Sequence, residues 1–160
     1  MWGGLLLTAA VASARQGDES EAWEILGEAR AASLLLGADH ADWYAILGPT
    51  NVAIHGVQVA VELGDGKSAV QRGERLNTDR LPASLLERRA QLLIDMARGH
   101  ALTGNDSDAL ATLLRAEQTA PQEVAMNTDV HRLTEGLLRQ RHGSVSHELR
   151  SFAIRLGASY

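Results

Sequence analysis

Residues 54–69, IHGVQVAVELGDGKSA, hold the pattern that decides the fold of this 160-residue chain. An apolar run with helical spacing leads up to Gly64, Asp65 follows it, and Ala69 stands five positions after the glycine. Glycine readily adopts the left-handed backbone conformation that ends a helix, and an acidic residue suits the start of the next helix. The stretch therefore predicts two helices that are joined by a tight turn.

The same turn pattern occurs three times in the sequence. Gly17 lies 47 positions before Gly64, Gly104 lies 40 positions after it, and each is followed by Asp or Asn. Residues at five fixed distances from the glycines are small or apolar in all three copies: Leu7, Ile54, Ile94; Ala10, Val57, Ala97; Ala14, Val61, Ala101; Ala22, Ala69, Ala109; and Ala29, Leu76, Ala116. A hairpin with one apolar face needs a neighbour to cover it, so repeated hairpins stack. We therefore predict an all-α fold, a right-handed α-solenoid of about four helical hairpins. A generic helical bundle rich in Ala and Leu is the alternative.

The apolar spacing and the breaks between apolar runs divide the chain into predicted helices. These span about 4–16, 20–36, 50–63, 67–77, 83–103, 106–119, 123–141 and 145–156. The last hairpin, around Gly143, matches the others poorly, since Glu148 stands where they have Ala. Terminal repeats commonly degenerate, so we predict a single domain over 1–160 in which residues 121–160 form a capping hairpin.

Composition narrows the classes of function. The net charge of −5 argues against binding to nucleic acid or to a membrane surface through bulk charge. The chain has no Cys, which excludes disulfides, thiol catalysis and Cys-ligated zinc. Aromatic residues make up only 4% of the chain, which disfavours a sandwich of aromatic-rich strands.

The first residues share some features with a secretion signal. Residues 5–14, LLLTAAVASA, are apolar and end in Ala-Ser-Ala, but no basic residue precedes them. They also align with the first helices of the later hairpins, so we interpret them as a helix of the repeat. We expect a cytoplasmic protein, and the abrupt start of the first hairpin predicts a fragment of a longer one.

Several stretches of the sequence resemble one known family. The most specific are residues 48–55, GPTNVAIH, and residues 59–65, VAVELGD. Weaker matches are DHAD at 39–42, LP at 81–82 with ERRA at 87–90, and APQEV at 120–124. Over about residues 15–157 the chain resembles the C-terminal tetratricopeptide (TPR)-like halves of actinobacterial Xre-type helix-turn-helix transcriptional regulators. It departs from the TPR consensus in its spacing, since the TPR period is about 34 residues, and in the unfilled Trp, Leu-Gly and Tyr positions.

The resemblance implies a function in transcription regulation. In that family a small helix-turn-helix domain precedes the repeats and binds DNA, and no such domain is present in these residues. We therefore expect DNA binding only through a helix-turn-helix domain outside this chain. The repeats themselves would be TPR-like hairpins that sense a peptide, a small ligand or a protein partner. A standalone TPR-like interaction scaffold without ligand gating is the alternative.

Two predicted helices carry a narrow polar stripe, which is the candidate site. On the helix that begins near residue 50, polar residues recur at spacings of 4, 3 and 4 among aliphatic ones, and the helix near residue 83 carries a similar series. Such spacing places each series on one helix face. Because the first helices of stacked hairpins line one concave surface, the two stripes predict a ligand-binding groove. The predicted ligand-binding residues are Asn51, His55, Gln58, Arg88, Gln91, Asp95 and Arg98.

The glycine register predicts how these side chains would act. It aligns Asn51 with Gln91, whose amides would satisfy the backbone of an extended peptide. It aligns His55 with Asp95, a pair that would make binding depend on pH near the ordinary histidine pKa of about 6.5. Arg88 or Arg98 would bind a carboxylate or phosphate, and replacement of Arg98 should then leave stability almost unchanged. The alternative is that the stripe is an ordinary solvated helix face.

The sequence contains no motif for catalysis or for a cofactor. A glycine-rich phosphate loop, a Gly-x-Ser-x-Gly elbow and a zinc-hydrolase pair of histidines are all missing, so we expect no enzyme, no metal and no cofactor. No apolar run approaches the about 20 residues of a membrane span, so we expect no membrane partner. Residues 130–160 hold five Arg and two Glu, which leaves homodimer contacts open as an alternative role for the C-terminal region.

Overall fold

Only helical structure occurs in the residues that the computed structural model describes, which are 2–36, 48–78, 85–140 and 146–157. The predicted all-α class is confirmed for this part of the chain. In chain order the helices are α1 (Trp2–Arg15), α2 (Glu19–Leu36), α3 (Pro49–Glu62), α4 (Gly66–Glu74), α5 (Leu86–Leu102), α6 (Asp106–Thr119), α7 (Pro121–Met126), α8 (Thr128–Gln140) and α9 (His147–Arg155).

The three predicted glycine turns are present and share one geometry. Gly17, Gly64 and Gly104 have φ angles of +82°, +79° and +75°, the left-handed region that favours glycine. At each turn the glycine N–H donates to the carbonyl three residues back, and the next N–H donates to the carbonyl five residues back. This double hydrogen bond is the Schellman motif, which satisfies carbonyl groups left open at a helix end. The turns therefore end α1, α3 and α5 in the same way.

The repeat register continues into the second helix of each hairpin. Ala22, Ala69 and Ala109, each five residues after its glycine, are completely buried. The backbone N–H of each donates to the carbonyl of the residue just after the glycine, so each sits in the same place in the first turn of its helix. A methyl side chain at this place lets the two helices of a hairpin approach closely.

The hairpins pack on one another in chain order. α1 contacts both α2 and α3, α3 contacts α4 and α5, and α5 contacts α6. The first helices of the three hairpins therefore lie next to one another, α1 beside α3 and α3 beside α5. Beyond them, α7 and α8 also pack against α5, and α8 contacts α9.

The core is divided along the chain in the same way. One apolar cluster joins α1, α2 and α3, a second joins α3, α4 and α5, and a third joins α5 to the C-terminal helices. Phe152 of α9 is completely buried in the third cluster, where Leu113, Val124 and Val130 accompany it. α9 thus covers apolar surface of the preceding helices.

One predicted helix is wrong. The sequence predicts a continuous helix over 123–141, but the structure ends α7 at Met126 and begins α8 at Thr128. Asn127 between them is extended, with φ −80° and ψ 117°. Its Oδ1 accepts the backbone N–H groups of Asp129 at 2.9 Å and Val130 at 3.2 Å. The Asn side chain thus caps α8 and competes with a continuous helix. The predicted turn at Gly143 lies outside the described residues.

α4 and α5 touch through glycines. A Cβ atom built on Gly66 would lie 2.5 Å from the carbonyl oxygen of Gly99, and one on Gly99 would lie 3.0 Å from the carbonyl oxygen of Gly66. Both are closer than a carbon and an oxygen normally approach, and the obstacle at each is backbone. The close packing of the second hairpin against the third therefore requires glycine at both positions.

We expect Gly66→Ala to lower the free energy of unfolding by about 1–3 kcal/mol, because the new methyl group must push α4 and α5 apart. Gly136→Ala is the matched control, since Gly136 is also helical but a Cβ there meets no atom within 4 Å. It should raise the free energy of unfolding by about 0.5–1 kcal/mol, since Ala favours helix. Urea unfolding followed by circular dichroism measures both changes. Equal effects would contradict the close packing of the glycines.

Candidate functional site

The seven predicted site residues lie on two neighbouring helices, as the sequence predicts, but their exposure differs. α3 carries Asn51, His55 and Gln58, and α5 carries the other four. Asn51 is 3% exposed and Asp95 is completely buried, whereas the remaining five are half-buried. A buried polar side chain forms its hydrogen bonds within the protein, so Asn51 and Asp95 contribute to helix packing rather than to an exposed binding surface.

Arg98 is the centre of the polar surface. Its Nη1 atom lies 3.1 Å from Oδ1 of Asp95, 3.2 Å from Oε1 of Glu62 and 3.5 Å from Oδ2 of Asp129. The three carboxylates come from α5, α3 and α8, so one guanidinium links three helices. The Arg98 side chain is 19% exposed, and charge pairs that are this far removed from water are stronger than surface pairs.

Further side chains extend this linkage at both ends. Arg15 of α1 lies 3.3 Å from the same Glu62 oxygen that Arg98 contacts. Gln91 donates to Oδ2 of Asp95 at 3.1 Å, and Asn127 donates to Oε1 of Gln91 at 3.4 Å. We call this set the Arg98 network. It consists of Arg15, Glu62, Gln91, Asp95, Arg98, Asn127 and Asp129 and reaches from α1 to α8.

The predicted pair of His55 with Asp95 is wrong. Nδ1 of His55 donates instead to the backbone carbonyl of Asn51 at 2.8 Å, a bond within α3. Burial lowers the pKa of His55, the charge of Arg88 lowers it further, and the bond to Asn51 only partly opposes them. The imidazole is therefore neutral at pH 7, and it lacks the carboxylate partner that the pH-dependent role required.

The charges of the network are strongly coupled. Burial raises the pKa of Asp95 to about 6, although Gln91 and Arg98 act in the opposite direction. Burial also acts to raise the pKa of Glu62, but Arg98 and Arg15 outweigh it and the pKa is lowered. For Arg98 itself, the three carboxylates outweigh burial and raise its pKa. Glu62 is therefore ionised at neutral pH, whereas Asp95 is a buried acid that retains its proton to a higher pH than an ordinary aspartate does.

A groove opens over one side of the network. Its volume is about 380 Å³, and its lining residues come from α1, α3, α5, α7 and α8 and from Asn127 between the last two. The lining residues are Arg15, Gln58, Gln91, Glu123, Met126, Asn127, Thr128 and Asp129. Of the seven predicted ligand-binding residues, this groove brings together only Gln58 and Gln91. The other five lie on the same two helices but are not among its lining residues.

A second depression, of about 400 Å³, lies at the turn between α3 and α4. Its lining residues are Glu19, Trp23, Leu63, Gly64 and Asp65, and none of them was predicted as a site. The guanidinium of Arg72 lies 4.4 Å from the Trp23 ring, a cation–π contact between the first two hairpins. Oδ1 of Asp65 accepts the backbone N–H of Ser68 and so caps α4. The side chains around this depression thus pack the first two hairpins together and cap α4, and we assign them no binding role.

The sequence prediction missed four members of the network. Arg15 lies 47 positions before Glu62, the same offset that separates Gly17 from Gly64, so the repeat register contained the signal for this pair. Asn127 and Asp129 carried no such signal, because they lie where the sequence predicts a continuous helix. Glu62 continues the spacing of the polar stripe four positions after Gln58, but it is not among the seven predicted site residues.

Neither a group of metal-ligating side chains nor a membrane-spanning helix occurs in the described ranges. Within them, no group of three or more His, Asp or Glu side chains is arranged to hold a metal ion. Among the helices of these ranges, none combines the length and the apolar character that crossing a bilayer requires.

We expect Asp95→Asn to change the pH dependence of stability, because Asn has the shape of the neutral acid. In the wild type the unfolded chain ionises Asp95 near its ordinary pKa of 3.8, while the folded chain retains the proton to about 6. The wild type therefore loses stability relative to the variant as pH rises through this window, by about 3 kcal/mol in total. Urea unfolding of both proteins from about pH 4 to about pH 7 measures the difference. A wild type that gains stability relative to the variant would show that Arg98 holds Asp95 ionised.

We expect Arg98→Met to lower the free energy of unfolding by about 2–4 kcal/mol, because it leaves three carboxylates without their shared cation. The sequence alone predicted almost no effect, so the structure reverses that expectation. Arg132→Met is the matched control, since Arg132 also approaches Asp129, at 3.8 Å, but is 76% exposed. Its removal should change stability by less than about 1 kcal/mol. Thermal unfolding followed by circular dichroism compares the two, and an equally small effect of both would mean that the network contributes little.

Similarity to known proteins does not decide the function. No family model matches the chain, and no match was found among curated proteins or among solved structures.

Proposed function

We propose that this chain is a TPR-like sensing domain of a transcriptional regulator that binds an extended peptide, or a partner protein through such a segment, in the groove over the Arg98 network. A small polar ligand in the same groove is the variant of this function. The single observation that carries the proposal is that three successive hairpins each contribute a polar side chain to one groove. These are Arg15 from α1, Gln58 from α3 and Gln91 from α5.

The arrangement of the hairpins supports this function. α1, α3 and α5 lie side by side, and each ends in the same glycine turn. Stacked hairpins of this kind present their first helices as one extended surface, which is how helical repeat proteins bind peptides and partner proteins. We propose that the stack is a right-handed α-solenoid of about four TPR-like hairpins, with the C-terminal helices as its cap.

The chemistry of the lining also supports a peptide. Gln91 and Asn127 each use one N–H of the side-chain amide inside the network, which leaves the second N–H of each as a donor. Glu123 and Asp129, which also line the groove, offer acceptors. An extended peptide carries both donors and acceptors along its backbone, and burying one without a partner costs about 1–3 kcal/mol. A groove with both kinds of group can satisfy such a backbone.

The regulatory part of the proposal is supported by the sequence resemblance. Residues 48–55 and 59–65, which carry its most specific motifs, fall on α3 and its glycine turn, within the second hairpin. In a cytoplasmic regulator of this kind, DNA binding belongs to a separate helix-turn-helix domain and the groove conveys the presence of the ligand. The second candidate is a standalone interaction scaffold, favoured by the fact that Arg98 links α3, α5 and α8 through carboxylates of the chain itself. An in-frame helix-turn-helix sequence upstream of the codon for Met1 distinguishes the two.

We expect peptides selected from a random phage-displayed library on this chain to bind in the groove. Gln58→Ala and Glu123→Ala should each weaken binding of a selected peptide by about threefold to thirtyfold, because each removes one hydrogen-bonding group. Isothermal titration calorimetry with the synthetic peptide measures the change. Both side chains are at least partly exposed, so their replacement should leave the melting temperature almost unchanged.

The matched control is Gln118→Ala, which removes an exposed Gln from α6, outside the groove lining. It should leave affinity unchanged. If no peptide is enriched, or if the α6 variant weakens binding as much as Gln58→Ala does, the proposed groove function is wrong.

A further inference from the structure

Three carboxylates of the network contact the same nitrogen atom, Nη1 of Arg98. Nη1 of Arg98 lies 3.1 Å from Asp95 and 3.5 Å from Asp129, and Glu62 occupies a third direction at 3.2 Å. A terminal guanidinium nitrogen carries two N–H groups, so it cannot donate well to three carboxylates at once. The longest of the three contacts is the one to Asp129, which is also the one that lines the groove.

Asp95 is surrounded by charged and polar groups from α3, α5 and α8. On its own helix it faces Arg98 and the amide of Gln91, and from α3 it faces Glu62. Asp129 of α8 lies across Arg98, and Arg15 of α1 acts only through Glu62. Within the described residues, α4, α6 and α7 contribute no ion pair or hydrogen bond to Asp95. Asp95 is completely buried, and burial raises its pKa to about 6.

We propose that Asp95 and Asp129 compete for the Arg98 guanidinium, so that the proton on Asp95 sets how much negative charge the groove presents to its ligand. This regulation rests on the proposed groove function. It makes the groove a site whose affinity for a cationic side chain rises when Asp95 loses its proton.

The sign follows from the distribution of one positive charge. When Asp95 is protonated, Arg98 needs to neutralise only Glu62 and Asp129, so the charge on the groove wall is compensated. When Asp95 ionises, it draws Arg98 toward itself because it has no access to water, whereas Asp129 is 29% exposed and is partly solvated. Asp129 then faces the groove with less compensation, because the remaining Arg132, 3.8 Å away, is 76% exposed and screened by water. Glu123 adds a second carboxylate to the groove lining.

The first test needs no ligand. The side-chain amide groups of Asn127 and Gln91 connect Asp95 to the groove, so their NMR signals should report its ionisation. We expect a step in their chemical shifts near pH 6 in the wild type and its loss in Asp95→Asn. His131→Gln is the control, because it replaces the imidazole on α8, whose Nε2 donates to the carbonyl of Ala125 at 2.7 Å, by an amide and leaves Asp95 in place. The step should persist in that variant.

The second test uses N-acetylargininamide as a cationic probe that does not itself titrate in this range. Its affinity, measured from the same amide signals, should be roughly threefold to tenfold higher at about pH 7.5 than at about pH 5 in the wild type. Asp95→Asn should bind it equally at both values. Loss of the pH effect in the variant, together with its presence in His131→Gln, supports the competition for Arg98.

Three outcomes would overturn the inference: no step in the wild type, a step that persists in Asp95→Asn, or a probe affinity that is the same at both pH values in the wild type. A step that remained in Asp95→Asn would belong to His55 or another group. Failure of the peptide selection with both tests positive would remove the peptide function and leave the coupling intact, so the two proposals fail separately.

Discussion

The left-handed glycine at the end of each first helix is the constraint on which the rest of the structure depends. The chain reverses at Gly17, Gly64 and Gly104 through the same Schellman turn, which is closed by two backbone hydrogen bonds. An L side chain at the φ angles of these glycines would be strained. Because the turns are the same, the residue five positions later always lies in the first turn of the second helix. An alanine there allows the close approach of the two helices, and the apolar residues before the glycine fill the seam.

Close packing of the hairpins then brings charges together. α1, α3 and α5 lie next to one another, so the polar residues that each carries meet across the helix boundaries. Arg15 contacts Glu62 at the repeat offset of 47. Arg98 also contacts Glu62, although it lies only 36 positions after it and the offset between Gly64 and Gly104 is 40. The long side chain of Arg98 can span one helical turn, and a buried cation is stabilised by a nearby anion. The need to pair buried charges therefore determines the contacts of Arg98 more strongly than the repeat alignment does.

The Arg98 network also explains why stability and recognition are difficult to separate here. A buried carboxylate is costly unless it is paired, and Asp95 is both completely buried and paired with a cation that two other carboxylates share. Replacing a member of this network changes the packing of α3, α5 and α8 together. Gln58 and Glu123 line the same groove, and neither is a member of the network, so they are the positions at which binding can be probed without disturbing the fold.

The sequence by itself determined the helical class, the three glycine turns and the buried small positions, because these follow from local backbone preferences and from a repeated spacing. It also placed the polar stripe on neighbouring helices. It did not determine the break at Asn127, whose side-chain oxygen accepts the backbone N–H groups of Asp129 and Val130 and so outweighs a helical apolar pattern. Nor did it determine which stripe residues are buried or which carboxylates share Arg98. Those depend on distances between helices that are far apart in the chain, and only the tertiary structure brings Asp129 to the network.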